Sequence, residues 1–299
     1  MQQVFFPFGT IKVATHAADD TFPAEHAPKM EQSLDDIWAA GFQGCSLGQF
    51  MPKNPQNIKS ALSSRRLKLC GASFRSYFTE EGKVQDTTQR FIHYRNLLHE
   101  FGFQHIVVVE CGHNTFLTDK PVFEQQPAYN ESQWEALSHG LDNLGDLARE
   151  KGMQLVFQNH IGTGVNNLMN IFRLLMMTDP KSVNFALDTG QLYLSGISIP
   201  MIVRDFKERI KYVRVRDVRP KIVEKAKAGK MSYRAARNAG IYTFPGNGAI
   251  DFGALFVNLK SANYEGWIVI ENDDQSTDSK GRLSGVRRGR QHVREITGV

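Results

Sequence analysis

The residues with the clearest capacity for chemistry are charged side chains that follow short apolar segments. Arg214 and Arg216 lie near the end of the β-branched segment Ile210–Asp217, whose alternating apolar side chains predict a buried strand. Asp188 and Glu271 end two further apolar segments. Burying several unpaired charges for structural reasons alone is costly, so this pattern favours a functional site over a satisfied core.

Polar residues follow nearly every predicted strand. They are His16, Ser46, Ser73, Glu110 with His113, Gln158 with His160, Asp188 with Gln191, Arg214 with Arg216 and Asp217, and Glu271 with Asn272. A single histidine in such a position is more often a satisfied core group than a functional one. A functional site therefore requires an architecture that brings these strand ends together.

Apolar segments alternate with segments of helical spacing along the chain, and this order predicts the architecture. The predicted strands are Ile11–Thr15, Gly44–Leu47, Leu67–Phe74, His105–Cys111, Met153–His160, Val183–Asp188, Ile210–Asp217 and Trp267–Glu271. Short, almost uniformly apolar strands separated by helices indicate parallel pairing with both faces covered. We therefore predict an α/β fold, a single (β/α)8 TIM barrel over residues 1–299. A doubly wound open sheet is disfavoured because no G-x-G-x-x-G motif follows the first strand. In a barrel the carboxyl ends of the strands meet at one face, where active sites lie.

One connection is much longer than the others. Residues 218–249 exceed the usual two to six residues of a βα connection, so we predict a long loop over the carboxyl-terminal face that acts as a lid or binding loop. The loop ends in Thr243–Gly248, where glycines let backbone amides approach a ligand closely, and Asn247 lies in this turn.

Composition restricts the class of protein. The 299 residues are 41% hydrophobic and 22% charged, as in soluble globular proteins, and no apolar segment approaches the length of a membrane-spanning helix. The amino-terminal segment lacks the features of a signal peptide, and the three cysteines are widely spaced, so we expect a cytoplasmic protein with reduced thiols. The net charge of +5 comes with little interleaved aromatic content, which argues against nucleic acid as a partner.

Four motifs carry a resemblance to a known family. They are Gln-Asn-His-Ile-Gly-Thr-Gly (158–164), Leu-Asp-Thr-Gly-Gln-Leu-Tyr (187–193), Phe-Pro-Gly-Asn-Gly-Ala-Ile-Asp-Phe (244–252) and Tyr-Glu-Gly-Trp-Ile-Val-Ile-Glu (264–271). Together with the opening strand, Asp19-Asp20 and residues 41–48, they resemble the inosose dehydratases of myo-inositol catabolism. These enzymes belong to the xylose isomerase-like (sugar phosphate isomerase/epimerase) barrels. The resemblance implies a TIM barrel that acts on a small polyhydroxylated ketone or sugar, with a homo-oligomer as one possible state.

The resemblance also implies a metal site, and this chain departs from it. The usual ligands, one from each of four strand ends, fall here at Gln158, Asp188, Arg214 and Glu271. Gln158 replaces an acid or, in the dehydratases, a histidine; Arg214 replaces a histidine, and Gln191 stands where a histidine usually follows Asp-Thr-Gly. Arginine offers no lone pair to a metal and repels one. Asp188, Glu271 and Arg214 carry one net negative charge without an ion, the same as the usual ligands with one, so we favour a site without a metal. The alternative is a divalent ion (Mn or Co) held by Asp188, Glu271 and His160.

The family chemistry gives each candidate residue a hypothetical role. For dehydration next to a ketone, Glu271 would be the base, Arg214 would stabilise the enolate, and His160 would act as acid or second base. Asp188 would hold Arg214 or bind substrate hydroxyls. The predicted substrate-binding residues are Gln158, Arg216, Asp217, Gln191, Glu110, His113 and Asn247. The predicted activity is that of a carbon–oxygen lyase. A sugar isomerase or epimerase and a non-catalytic sugar-binding barrel are the alternatives.

Overall fold

A computed structural model describes residues 4, 6, 11–16, 30–46, 55–271 and 279–299 of the chain. The side chains of His16, Ser279, Lys280 and Arg282 lie outside this description. Within the described ranges, no helix is both long enough and apolar enough to cross a membrane.

Parallel strands in the described residues form a closed barrel, which confirms the predicted fold. The strands in chain order are β1 (Ile11–His16), β2 (Gly44–Ser46), β3 (Lys68–Leu69), β4 (Gly71–Ser76), β5 (His105–Glu110), β6 (Gln154–Phe157), β7 (Val183–Asp188), β8 (Ile210–Val215), β9 (Asp217–Val218), β10 (Tyr242–Thr243) and β11 (Gly266–Ile270). The main sheet has the order β3-β2-β1-β11-β8-β7-β6-β5-β4. Because β3 and β4 are the two parts of one strand, interrupted at Cys70, the sheet closes on itself.

Helices connect the strands and cover the outside of the barrel. They are α1 (Met30–Ala39), α2 (Pro55–Ser64), α3 (Val84–Phe101), α4 (Glu131–Arg149), α5 (Leu168–Met177), α6 (Thr189–Leu194), α7 (Ile199–Phe206), α8 (Pro220–Ala228), α9 (Tyr233–Asn238), α10 (Phe252–Ser261) and α11 (Ser279–Thr297). The apolar faces of most of these helices pack against the outward side chains of the strands in one large core. The apolar residues of α8 and α9 instead belong to a separate cluster that includes Phe116 and Ile161.

The inside of the barrel is filled, as expected for a barrel of this size. Its apolar cluster consists of small residues and two large aromatic ones, namely Ala14, Cys70, Val107, Val156, Ala186, Tyr212, Trp267 and Val269. Glycine makes room for the aromatic rings. A Cβ atom at Gly71 would lie 2.9 Å from the Tyr212 hydroxyl, and one at Gly44 would lie 2.5 Å from the Trp267 ring.

The structure differs from the sequence prediction mainly at the carboxyl-terminal face. Residues 218–249, predicted as a long loop, contain the helices α8 and α9 and the strand β10, which pairs antiparallel with β9. We call this folded segment the insertion. The helix α6, which was not predicted, begins directly after β7, because the Asp188 side chain caps it by accepting a hydrogen bond from the Gln191 amide.

Candidate active site

A layer of polar side chains lies directly above the apolar interior. Asp188 follows Ala186 by two residues in β7, Arg214 follows Tyr212 in β8, and Glu271 follows Val269 at the end of β11. Because side chains alternate along a strand, these polar residues point into the barrel like their apolar predecessors. Gln158 likewise follows Val156 by two residues at the end of β6, and Arg216 follows Arg214 by two residues after β8.

Arg214 lies at the centre of this layer. Its Nε donates a hydrogen bond to Oε1 of Glu271, and its Nη1 donates to Oε1 of Gln158 at 2.7 Å. The Gln158 amide nitrogen in turn donates to Oδ2 of Asp188 at 3.1 Å. The guanidinium thus connects the ends of two strands that are not neighbours in the sheet, β6 and β11.

Arg216, predicted to bind substrate, belongs to the same layer as Arg214. Its Nε and Nη2 donate to the two oxygens of Asp188 at 3.0 and 2.7 Å, a bidentate pair. Nη1 lies 3.7 Å from Oε2 of Glu271, and the guanidinium stacks 4.2 Å from the centre of the Tyr242 ring. Burial is the largest single influence on the pKa of Arg216 and lowers it, but the surrounding groups, with Asp188 first among them, together raise this pKa well above the ordinary value. The two arginines and two carboxylates balance in charge, which makes their joint burial tolerable.

Asp188 is completely engaged by protein donors. It is fully buried, and its oxygens accept hydrogen bonds from Gln158, from Arg216 and from the Gln191 backbone. Of its two predicted roles, the structure supports positioning: Asp188 holds Arg216 directly and Arg214 through Gln158.

His160 is a neutral ring in an aromatic enclosure. Its Nδ1 lies 2.6 Å from the Ile161 carbonyl oxygen, which only accepts, so Nδ1 donates and Nε2 carries the lone pair. The ring packs against Phe116 at 4.1 Å and Tyr233 at 4.8 Å between centroids. Burial lowers the pKa of His160 to about 3, with Arg216 a smaller cause. Near neutral pH the ring is therefore uncharged, with a lone pair at Nε2 able to accept a hydrogen bond, and its role as acid or second base stays a prediction.

Gln191 joins three loops instead of facing a ligand. Its Oε1 accepts from the Ile161 amide at 2.9 Å, and its Nε2 donates to the hydroxyls of Tyr233 at 3.2 Å and Tyr242 at 3.1 Å. The sequence reasoning missed both tyrosines because they belong to the insertion. Their side chains are buried beside His160 and Arg216, and aromatic residues within so long a connection were the available signal.

Two carboxylates predicted to bind substrate accept hydrogen bonds from backbone loops. Glu110 is fully buried and accepts hydrogen bonds from the amides of Phe78, Thr79 and Gly112 and from two hydroxyls. Asp217 accepts from the amides of residues 218, 246, 248 and 250. These bonds assign both residues to loop anchoring, since their lone pairs are already in use.

The remaining candidates lie at the exposed rim or outside the described residues. His113 is exposed, and its Nε2 lies 3.0 Å from the Thr79 carbonyl. Asn247 is exposed and donates to the Thr243 hydroxyl at 2.9 Å. Both remain predictions as substrate contacts. Of the polar strand-end residues, Asn272 and the side chain of His16 lie outside the described part of the chain, as do Asp19 and Asp20 of the family resemblance.

Comparison with known proteins identifies the class of enzyme. Residues 34–296 match the family model of the xylose isomerase-like TIM barrel, and the chain belongs to this family. It is 38% identical over 270 residues to an inosose dehydratase of Clostridium botulinum, covering 90% of both chains, and is inosose dehydratase-like within the family.

Two solved structures share the fold at low sequence identity. The IOLI protein with a bound zinc atom has a TM-score of 0.72 at 13% identity, with coverage of 96% of this chain and all of that one (100%). L-ribulose 3-epimerase has a TM-score of 0.70 at 14% identity, with coverage of 95% and 93%. The curated relatives at 37–39% identity are named inosose dehydratase, and this chain is an enzyme.

The donor atoms of this site do not fit the metal that the family implies. Of the four ligand positions, 158 and 214 hold an amide and a guanidinium, and the guanidinium offers no lone pair. The carboxylates of Asp188 and Glu271 are instead bonded to arginine nitrogens. Within the described ranges, no group of three or more His, Cys, Asp or Glu side chains is arranged to hold an ion.

Proposed function

We propose that this protein is a lyase that dehydrates a keto-inositol or a closely related keto-sugar, without a metal cofactor. The identity to an inosose dehydratase over nine-tenths of both chains supports the substrate class. The observation that carries the chemistry is the contact of the Glu271 carboxylate with the Arg214 guanidinium at the carboxyl end of the barrel, a candidate base beside a fixed cation.

In this reaction Glu271 takes the proton from the carbon next to the ketone. The electron pair of that C–H bond delocalises onto the ketone oxygen and forms an enolate. When the ketone re-forms, the electron pair expels the hydroxyl group of the neighbouring carbon. That group leaves as water with the proton that Glu271 had taken. One C–H bond and one C–O bond break, one C=C bond forms, and the carboxylate is regenerated.

Arg214 is the residue that we assign to the enolate oxygen. A guanidinium held in place by two hydrogen bonds is preorganised, so little reorganisation is needed when negative charge develops. Only 13% of the Arg214 side chain is exposed, so its electrostatic interactions are stronger than they would be in water. Arg216 fixes Asp188 and adds positive charge on the other side of Glu271.

His160 is assigned to substrate orientation. Its Nε2 lone pair is suited to accept a hydrogen bond from a substrate hydroxyl, since the low pKa keeps the ring neutral. The enclosing rings of Phe116 and Tyr233 fix the direction of that lone pair.

The Glu271→Gln variant tests the assignment of the base. Turnover of 2-keto-myo-inositol, followed by the absorbance of the conjugated product, should fall by about 10²- to 10⁴-fold, while ligand binding persists. Glu265→Gln is the matched control, because Glu265 is exposed at the opposite end of the same strand. Full activity of Glu271→Gln would show that Glu271 is not the base of the reaction. Solvent proton exchange into the substrate without loss of water would indicate an isomerase or epimerase instead.

A further inference from the structure

The four positions where the family implies metal ligands are joined directly to one another in this structure. Arg214 bonds to Glu271 and to Gln158, and Gln158 bonds to Asp188. Arg216 contacts both Asp188 and Glu271, so these side chains form a closed network of contacts. Glu271 and Gln158 thus bond to the guanidinium at position 214, and Asp188 is linked to it through Gln158.

Gln158 is chemically matched to this arrangement. Its oxygen accepts from Arg214 at 2.7 Å while its nitrogen donates to Asp188 at 3.1 Å. An ionised glutamate at position 158 has no donor, and would set a second carboxylate against Asp188. An amide satisfies both neighbours, so the residue at position 158 depends on the presence of a guanidinium at position 214.

The charges lead to the same conclusion. A divalent ion is normally surrounded by carboxylates that offset its charge. Here each buried carboxylate has an arginine partner, Glu271 with Arg214 and Asp188 with Arg216. Because the carboxylates are already neutralised, an added divalent ion would meet a site with two fixed positive charges and no net negative charge.

We propose that Arg214 and Gln158 together replace the metal ion of the family and one of its ligands, so that the cation of this active site is part of the polypeptide. The part of this proposal that concerns catalysis rests on the proposed function, since it gives the guanidinium the enolate oxygen. The part that concerns metal binding stands without any substrate.

The first test uses the unmodified protein and needs no variant. Purified protein is dialysed against a chelator, incubated with Mn²⁺ or Co²⁺, desalted and analysed for metal content. We expect far less than one ion per chain, and the same rate with 2-keto-myo-inositol before and after chelation. One firmly bound ion per chain, with activity that disappears on its removal, would overturn the proposal.

The second test restores the ligands. In the double variant Gln158→His with Arg214→His, positions 158, 188, 214 and 271 present two imidazoles and two carboxylates, a set that suits Mn²⁺, Co²⁺ or Zn²⁺. We expect this variant to bind about one ion per chain and to gain thermal stability when Co²⁺ is added. The single variants are the controls and should bind metal at least tenfold more weakly than the double variant. Equal metal binding by Arg214→His alone would show that Gln158 is not matched to the arginine.

The two proposals fail in different ways. If the unmodified protein binds no metal and does not act on 2-keto-myo-inositol, the proposed function is wrong while the metal result stands. If the protein turns over the substrate only with a bound ion, the dehydratase function stands and the replacement of the metal by Arg214 is wrong.

Discussion

Replacing Glu110 with glutamine tests whether this carboxylate holds loops or contacts the substrate. Its Oε1 accepts from the Thr79 amide and hydroxyl and from the Gly112 amide, and its Oε2 accepts from the Phe78 amide and the Ser76 hydroxyl. Whichever oxygen becomes an NH₂ group, at least one buried backbone N–H then faces another donor. A buried donor without a partner costs about 1–3 kcal/mol, and the remaining bonds lose their charge assistance.

We therefore expect Glu110→Gln to lower the free energy of unfolding by about 3 kcal/mol. With an unfolding entropy of roughly 2.1 cal/mol/K per residue, the melting temperature of the 299-residue chain should fall by roughly 5 °C. Urea unfolding measures the change, and the KM for substrate should stay within about twofold of the unmodified value because the carboxylate faces backbone amides. The control is Glu81→Gln, a change at an exposed site nearby, which should alter stability by less than about 0.5 kcal/mol. Unchanged stability with a strongly raised KM would refute this reasoning and restore the substrate contact.

Two further predictions concern stability. Burial lowers the pKa of His160 to about 3 and that of His105 to about 4, so both rings take up protons more readily in the unfolded chain, where the histidine pKa is about 6.5. The free energy of unfolding should thus decrease as pH falls below about 6.5, by about 1.4 kcal/mol per pH unit for each ring. Urea unfolding at several pH values between 7 and 5 should show that this free energy depends less steeply on pH in His105→Gln. An unchanged pH dependence in this variant would contradict the assignment. Asp217→Asn keeps only one acceptor oxygen, so it should leave either the amides of Gly246 and Gly248 or the amide of Ile250 without an acceptor and speed their hydrogen exchange. Exchange as slow as in the unmodified protein would show that Asp217 does not hold this turn.

The sequence predicts the barrel and the convergence of its polar strand ends, for a simple physical reason. Parallel strands buried on both faces are apolar almost throughout, so a polar residue at a strand end is conspicuous. In a closed barrel these ends converge, which is why Gln158, Asp188, Arg214 and Glu271 were identified before their contacts were known.

The roles of individual residues were harder to predict because their partners are backbone groups. Glu110 and Asp217 bond to amides of loops whose course depends on the whole fold, and composition gives no sign of such bonds. The break of the third strand at Cys70 and the helices of the insertion were missed for a related reason. Tertiary contacts decide both, while local patterns carry little information about them.

The insertion has a consequence for how this barrel can be altered. Ser232 pairs with Pro121, and the Val122 amide bonds to the Met231 carbonyl, so the insertion is joined to the loop that follows β5. Tyr233 and Tyr242 meanwhile bond to Gln191 of α6. Residues 218–249 therefore cannot be exchanged on their own with the corresponding segment of a related barrel. Grafting them onto a related barrel, or recombining them in evolution, requires residues 115–126 and position 191 to move with them.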